Sequence, residues 1–395
     1  MEQAHATDIP VSELLSQFDY TNPEHDARFD EVLSHARGTC PVPHSSAIGG
    51  HYIATTYEAV SEVLRDHTTF SSTEYINISG NMGVRQPPID TDPPIQHDYR
   101  KILNPFFHPK YLAGSGQQIR DIAKIHISQW ISNGTCEFIS DFAAPFVTDV
   151  LAKIVFNCED TAVFRRAAEC TERLVSGDIS VYPEFAALMA NFVEDRKKVD
   201  QGGVVSAVLN GEIDGRPLTP EEQVGVVQIL FSGGLDTTKV AISDIVLAMT
   251  QYPGLEQRLR TPGWEKATLD ELLRYSSPIA ALGRSATRDT VVAGQRLKAG
   301  DKVLVHYSSA NHDESVYEAP NELRFDRERN PHLAFGLGVH RCVGMHLARL
   351  QIRVAIEELL SAFTNVRLTP DAPDLVRRPG ISRVLLQLPI DFDRR

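Results

Sequence analysis

Hydrophobic residues recur at helical spacing along most of the chain, with short polar breaks between the periodic stretches. The pattern is nearly continuous from residue 110 to 275, with breaks near NGT at 133 and across residues 198–217. Strand-like patterns are few: residues 52–55, followed by a helix over 58–65, and a stretch from Asp289 in which two glycine turns favour β-hairpins. Residues 311–333 show no period and indicate an ordered loop. The pattern predicts a mainly α chain with a small β region.

The longest predicted helix begins at a clear N-terminal signal. Thr219-Pro220-Glu221-Glu222 combines a capping box with proline at the first helical position, and Pro253 ends the apolar run. The segment is apolar on most faces, so we expect a buried helix of roughly 48 Å. At its centre stands FSGGLDTTKVA, residues 231–241, although a glycine costs about 1 kcal/mol in a helix interior. Some function therefore requires this part of the helix to be thin and polar.

Composition and charge narrow the class of protein. The chain has 395 residues, of which 42% are hydrophobic and 23% charged, as in soluble globular enzymes. No run approaches the length of a membrane span, and MEQAHATDIPVSELL lacks the features of a signal peptide. We therefore expect a single domain over residues 1–395, located in the cytoplasm. The net charge of −13 disfavours nucleic acid as a partner, because phosphate binding needs a basic face.

The five cysteines are scattered without CxxC spacing, which argues against a disulfide framework and against a zinc site. Cys342 has distinctive neighbours, because it lies in HLAFGLGVHRCVGMHLARLQ just before a predicted amphipathic helix. The N-terminal end of a helix favours a thiolate, and nearby glycines allow the backbone to approach a bulky partner. From the residues alone, a structural cysteine and a ligating cysteine are about equally favoured.

Three motifs together resemble the cytochrome P-450 superfamily. FGLGVHRCVG, residues 335–344, is similar to the family's haem-binding loop, FxxGxxxCxG, at every defined position. GGLDTT resembles the oxygen-binding groove of the family's long central helix, and ELLR, residues 271–274, is similar to its ExxR motif. The resemblance covers essentially the whole chain. It implies the cytochrome P-450 fold, with haem b between the long central helix and the cysteine loop.

The resemblance also implies roles for individual residues. Cys342 would be the iron ligand, Gly233 and Gly234 would open a groove for dioxygen, and Asp236 and Thr237 would deliver protons. For Thr237, the alternative is a hydroxyl that bonds to a carbonyl of its own helix. The other implied haem-binding positions are Gln96, Arg100, Arg284, Phe335, His340 and Gly344. Gln96 stands where many relatives have histidine, and His97 falls one position late, so the haem contact of these two stays open.

A further implied group is structural. Glu271 and Arg274 form an i, i+3 pair, which on an exposed helix surface contributes little. In the family this pair is buried and completed by a loop arginine, here Arg327, as a brace for the haem loop. The implied substrate pocket is mostly apolar and is lined by Tyr75, Ile78, Met82, Val84, Ile229, Gly233, Ile279, Ala280, Leu282 and Ile381.

The resemblance implies a monooxygenase that inserts one atom of O2 into a small hydrophobic substrate, with a terpenoid or an aromatic compound expected. Because the haem motif ends at Gly344 of 395 residues, we expect no fused redox module and a separate ferredoxin or flavodoxin as electron donor. This donor would dock on a basic patch of Arg100, Lys101, Lys110, Arg341, Arg349 and Arg353. The alternatives are a peroxide-driven peroxygenase, which would not need Asp236 and Thr237, and a haem sensor without turnover.

Overall fold

The structure, a computed structural model, describes residues 9–79, 85–175, 178–199 and 201–395. Contacts within the chain divide it into two units, each assembled from separate stretches of sequence. The first unit comprises Met1–Pro94, Asp270–Cys342 and Arg378–Arg383. The second comprises Ile95–Leu269, Val343–Arg377 and Val384–Arg395. The assignment of residues 1–395 to a single domain stays a prediction.

Helices dominate the described residues, as the hydrophobic pattern predicts. The α-helices are α1 Val11–Ser16, α2 Pro23–Asp26, α3 Phe29–Thr39, α4 Tyr57–Arg65, α5 Ile95–Phe107, α6 Pro109–Leu112, α7 Ser115–Trp130, α8 Ala144–Val150, α9 Ala162–Val175, α10 Tyr182–Lys198, α11 Gly203–Leu209, α12 Pro220–Gln251, α13 Leu255–Leu259, α14 Ala267–Ser276, α15 Tyr307–Asn311 and α16 Met345–Ala362. Two π-helical turns, Ile139–Ala143 and Leu151–Val155, flank α8.

The strands are short. They are β1 His44–Ser45, β2 His51–Ala54, β3 Phe70–Ser71, β4 Thr135–Glu137, β5 Glu212–Ile213, β6 Arg216–Pro217, β7 Ala281–Ala286, β8 Thr290–Val292, β9 Gln295–Leu297, β10 Lys302–His306, β11 Phe363–Leu368, β12 Arg377–Arg378, β13 Val384–Leu385 and β14 Pro389–Arg394. The expectation of a mainly α fold with a small β region is confirmed.

The first unit is built on a five-stranded sheet in the order β1-β2-β10-β7-β3. β10 runs parallel to β2 and antiparallel to β7, so that Leu304 faces Ile53 on one side and Gly283 on the other. Side chains alternate across a strand. Accordingly, Val303 and Val305 belong to a core cluster with α4, whereas Leu304 belongs to a second cluster with α1 and α3. Both faces of the sheet are therefore covered by helices.

The second unit contains the long helix α12. Thr219 caps it, with Glu222 completing the capping box, and the helix continues for 32 residues without interruption through both central glycines. Its buried residues lie on most faces, and it packs against α8, α9, α10, α11 and α16. A small sheet in the order β11-β14-β4 completes this unit. Among the described residues, no helix is both long and apolar enough to cross a membrane.

Candidate functional site

The loop that ends at Cys342 is held in a tight conformation by its glycines. Gly336 and Gly338 have φ of +68° and +71°, in the left-handed region that favours glycine. A Cβ on Gly338 would stand 2.3 Å from the carbonyl oxygen of Leu64, so the first unit leaves no room for a side chain there. The amide of Cys342 donates to the carbonyl of Phe335 at 2.8 Å and closes the loop. Cys342 itself is exposed, whereas the other four cysteines are buried or partly buried.

His340 is fixed by a hydrogen-bond chain within the first unit. Its Nε2 lies 3.0 Å from the hydroxyl of Ser72, whose own amide donates to the carboxylate of Asp92 at 3.0 Å. Asp92 also accepts from the Ser71 hydroxyl at 2.5 Å. The sequence interpretation missed Ser72 and Asp92. Nothing in the local pattern singles them out, since they stand more than 240 residues before His340.

Arg284 lies on β7 and is almost completely buried, with 3% of its surface exposed. One guanidinium nitrogen donates to the carbonyl of Gly283 at 2.7 Å. Burial raises the pKa of Tyr307, and the positive charge and hydrogen bond of Arg284 partly oppose that rise. A buried guanidinium keeps its charge, so the position suits an anionic group such as a carboxylate.

Glu271, Arg274 and Arg327 come together in the interior of the first unit. The Glu271 carboxylate makes two bonds of 2.8 Å to Arg274 and accepts from Arg327 at 3.0 Å. It also accepts from the Arg324 amide at 2.9 Å and from Asn330 at 3.1 Å. Burial alone would raise the pKa of Glu271, but these donors outweigh burial and lower it. The carboxylate is thus ionised and fully coordinated.

This cluster is connected to the segment that enters the cysteine loop. Arg274 donates to the backbone carbonyls of Asn311, Pro320 and Glu322 at 2.7, 2.8 and 3.1 Å. The side chain of Asn311 in turn accepts from the amide of Leu333 at 2.7 Å. The carbonyl of Leu333 accepts from the amide of Gly336 at 2.8 Å. Arg274 therefore ties down backbone that would otherwise lack regular hydrogen bonds.

The two central glycines of α12 have different surroundings. A Cβ on Gly234 would stand 2.7 Å from a methyl group of Leu151, so this glycine allows the π-helical turn to pack closely. A Cβ on Gly233 would meet only Ile229, at an ordinary contact distance of 3.8 Å. Within the second unit, open space thus lies at Gly233, whereas Gly234 is a packing position. The joint role of both glycines in a groove for dioxygen stays a prediction.

Thr237 and Asp236 each have a partner in the second unit. The Thr237 hydroxyl donates to the carbonyl of Gly233 at 3.0 Å, which is the local bond weighed above as the alternative. Asp236 forms an ion pair of 2.9 Å with Lys239, which also pairs with Glu172 at 3.1 Å. Lys239 was not predicted. Its position three residues after Asp236 is visible in the sequence, but its contact with Glu172 on α9 is not.

Helix α5 carries two further predicted haem contacts, Gln96 and Arg100, and Gly344 precedes the first residue of α16. Gln96 is buried and His97 is exposed. Gln96 and Arg100 are four residues apart and therefore share one face of the helix. The difference in burial favours Gln96 over His97 for an interior contact, and that contact stays a prediction.

The predicted substrate residues divide into three groups. Met82 and Val84 lie outside the described residues. Ile78 and Ala280 are almost fully buried in the core cluster with α1 and α3, at 0% and 1% exposure, so in this structure they contribute to core packing. Several others keep part of their side chains accessible or, for Gly233, are exposed: Tyr75, Ile229, Gly233, Ile279, Leu282 and Ile381.

Tyr75 and Ile76 are anchored on β7 at Gly283. The amide of Gly283 donates to the carbonyl of Ile76 at 2.8 Å, and a Cβ on Gly283 would stand only 1.9 Å from the Tyr75 carbonyl oxygen. The ammonium group of Lys302 lies over the Tyr75 ring, 4.9 Å from its centroid. The backbone at Tyr75 and Ile76 is therefore fixed to the sheet.

The predicted basic patch is carried mainly by helices of the second unit. Lys101 and Lys110 are exposed on α5 and α6, and Arg349 and Arg353 are partly exposed on α16, which packs against both. Lys101 pairs with Asp98 at 2.7 Å. Arg341 belongs to the first unit and is also exposed.

The residues of the first unit fit an iron porphyrin. The exposed thiol of Cys342 offers a sulfur ligand, and Gly336 and Gly338 add no side chains to the loop that leads to it. Arg284 and His340 would supply a cation and a polar ring for the porphyrin carboxylates. The donor set, a thiolate with basic side chains, is one that haem proteins use.

Comparison with known proteins agrees with this geometry. The family model described as Cytochrome P450 matches residues 265–390. A steroid C26-monooxygenase from Mycolicibacterium smegmatis is 30% identical over 363 residues, covering 86% of this chain and 87% of the relative. A linalool 8-monooxygenase from Pseudomonas putida is 29% identical over 311 residues, covering 74% and 75%. The solved structure of a cytochrome P450 from Chondromyces apiculatus superposes with a TM-score of 0.85 at 27% identity, covering 96% and 99%.

Proposed function

Since the chain belongs to the cytochrome P450 superfamily, and is therefore a haem b monooxygenase, we propose that it hydroxylates a small terpenoid with Cys342 as its iron ligand. The observation that carries this proposal is the geometry of the cysteine loop. Cys342 is exposed at the end of a loop that has left-handed glycines at Gly336 and Gly338 and whose backbone closes on Phe335. When bound, the haem activates dioxygen, and a thiolate ligand favours cleavage of the O–O bond.

The protein's own residues position the cofactor and deliver protons to the reaction. Arg284 and His340 hold the carboxylates of the cofactor, and the brace around Glu271 holds the backbone that leads into the loop. Asp236 and Thr237 relay the two protons that the reaction consumes, which come from water. Per turnover, two electrons and one O2 are consumed, one oxygen atom enters the substrate and the other leaves as water.

A small hydrophobic substrate is supported by the side chains that remain accessible. Tyr75, Ile279, Leu282 and Ile381 of the first unit present apolar surface, as small-molecule sites usually do. A relative that acts on linalool favours a terpenoid over an aromatic compound. Titration with linalool while the haem spectrum is recorded tests this choice, and a spectrum that does not change would contradict it.

We assign electron supply to a separate ferredoxin or flavodoxin that docks on the basic patch of the second unit. The protein as a whole carries a net charge of −13 and would repel an acidic donor. Attraction must therefore come from a local group of basic residues. Such local complementarity mainly raises the rate of association at low ionic strength. Turnover driven by NAD(P)H with a surrogate reductase and ferredoxin separates this proposal from a peroxygenase, which would need hydrogen peroxide instead.

The ferrous–CO spectrum tests Cys342 directly. Cys342→Ala and Cys342→His should abolish the red-shifted absorption band of a thiolate-ligated haem. Cys40→Ala is the matched control, since Cys40 is partly exposed in the same unit and should leave the band unchanged. If the Cys342 variants retain the band, another residue binds the iron.

A further inference from the structure

Lys239 places a buried positive charge next to the proposed proton-delivery residues. It is 2% exposed on α12, and its ammonium group lies 2.9 Å from Asp236 and 3.1 Å from Glu172 on α9. Asp236 is also buried, whereas the side chain of Glu172 is 51% exposed. The three residues therefore form a continuous ionic connection from the residue beside Thr237 to the surface of the second unit.

The charge of Lys239 is stable in this position. Burial alone would lower the pKa of Lys239, but the negative charges of Asp236 and Glu172 outweigh burial and raise it. These two carboxylates are the groups that act on the lysine, and both also contact it directly. A single ammonium thus contacts two carboxylates.

We propose that Lys239 is a positioning residue for proton delivery, which holds the Asp236 carboxylate beside Thr237 and couples it to Glu172 at the surface. This inference rests on the proposed monooxygenase function. Because both carboxylates share one cation, a stronger interaction with one weakens the interaction with the other. Glu172→Gln, which removes this carboxylate, would leave Asp236 as the carboxylate that contacts Lys239. A change at the surface would thereby reach the interior of α12.

A purely structural role would be that Lys239 fastens α9 to α12. Two variants and one control distinguish the roles. Lys239→Met keeps the length of the side chain but removes the charge, and Lys239→Arg keeps the charge. The control is Asp244→Asn, about two turns beyond Thr237 on the same helix, which breaks an ion pair of 2.7 Å between Asp244 and Arg377 on β12.

The first measurement is a double-mutant cycle on the haem-loaded protein, which needs no turnover. The midpoint of thermal unfolding is recorded for Lys239→Met, Asp236→Asn and the double variant. Since the two side chains are in contact, the double variant should lose less than the sum of the single losses. Additive losses would show that the ion pair does not exist in solution and would overturn the inference.

The second measurement is the fraction of NAD(P)H electrons that appear in product, with linalool as the probe and hydrogen peroxide measured in parallel. Lys239→Met should lower this fraction about tenfold, which is a part of the 10²–10⁴ that a positioned proton donor contributes. Lys239→Arg should restore most of it, and Asp244→Asn should match the wild type.

The outcomes separate the inference from the function on which it rests. If the wild-type protein forms no product from NAD(P)H, the proposed function is wrong and the inference falls with it. If the wild type forms product and Lys239→Met directs the same fraction of NAD(P)H electrons into product, the proposed function stands and the role of Lys239 is refuted. If Lys239→Met and Asp244→Asn lower this fraction equally, Lys239 has a structural role and the inference is also refuted.

Discussion

The ion cluster around Glu271 and the one around Lys239 are built with opposite charge balance. In the first, one carboxylate is shared by two guanidinium groups, and all three side chains are at least 92% buried, with exposures of 2%, 0% and 8%. In the second, one ammonium is shared by two carboxylates. The exposed fraction of the side chain rises from 3% at Lys239 to 12% at Asp236 and 51% at Glu172. One cluster is closed to water and the other reaches it.

The difference follows from the chemistry of the two cations. A guanidinium has five N–H donors in a fixed plane, so Arg274 can bind Glu271 and three backbone carbonyls at once. An ammonium is a compact charge with rotatable donors, and it can change partners without moving its helix. The arginine cluster therefore suits a permanent brace, and the lysine cluster suits a contact that responds to solvent.

Breaking the closed cluster should have the largest effect on stability. Glu271→Gln leaves Arg274 buried without a counter-charge, and we expect a loss of about 3–5 kcal/mol in the free energy of unfolding, measured with denaturant. The double variant Glu271→Gln with Arg274→Met should lose less than the sum of the single variants. Glu184→Gln is the control, since it removes a carboxylate from an exposed pair with Arg166 and should change stability little. A small loss for Glu271→Gln would mean that water reaches the cluster.

The two clusters should also protect the fold at opposite ends of the pH scale. The pKa of Glu271 is lowered, so its contribution is present above the unfolded value and is lost as pH falls through the folded pKa. The pKa of Lys239 is raised, so its contribution is present below the unfolded value and is lost as pH rises through the folded pKa. Each group changes stability by up to about 1.4 kcal/mol per pH unit in its own range.

Variants that remove one partner test this assignment. Arg327→Met leaves Glu271 with one cation fewer and should move the loss of stability in acid to higher pH. Asp236→Asn removes a carboxylate from Lys239 and should move the loss of stability in alkali to lower pH. The measurement is the free energy of unfolding between pH 3 and pH 11. If the variants shift neither the loss of stability in acid nor the loss in alkali, other groups dominate the pH dependence.

The sequence predicts α12 and the glycine-rich cysteine loop well because their signals are local. The capping box at Thr219 marks the observed start of the helix, and the observed end at Gln251 lies two residues before Pro253. The glycines around Cys342 likewise stand next to the residue that they serve. These features depend on neighbours within a few positions, so one sequence is enough to recognise them.

The rest depends on distant pairings. Lys239 and Glu172 are 67 residues apart, and Ser72 and His340 are 268 apart. β7 was not predicted, because residues 281–286 show no clear alternation and are mostly buried between β10 and β3 of the five-stranded sheet. The packing role of Gly234 depends on Leu151, which a helix motif alone does not reveal. Sequence patterns therefore identify the residues of the site better than their partners.

Gly233 and Gly234 are adjacent on α12 but differ in how closely they are packed, so alanine at each position should change stability differently. Gly233→Ala meets no close neighbour and should stabilise the helix by about 1 kcal/mol. Gly234→Ala gains the same helix propensity but pushes a methyl group against Leu151, which is itself buried. Overpacking costs about 1–3 kcal/mol, so Gly234→Ala should be the less stable of the two by that amount. Equal stabilities would mean that Leu151 moves away freely, and Leu151→Ala in the Gly234→Ala background should relieve the clash.

The smallest effect on stability is expected at Lys101, whose side chain is 77% exposed. Lys101 pairs with Asp98 on the surface of α5, and water and salt screen such a pair. Charge reversal in Lys101→Glu should therefore leave unfolding by denaturant almost unchanged, in contrast to Glu271→Gln.

If the basic patch binds the electron donor, the same variant together with Arg349→Glu and Arg353→Glu should slow the first electron transfer and flatten its dependence on salt. Stopped-flow reduction by the native ferredoxin at low ionic strength measures this rate, with linalool affinity as the control that should stay constant. An unchanged rate would place the docking site on another surface, and a loss of stability would show that these exposed charges are more tightly coupled to the fold than their solvent exposure implies.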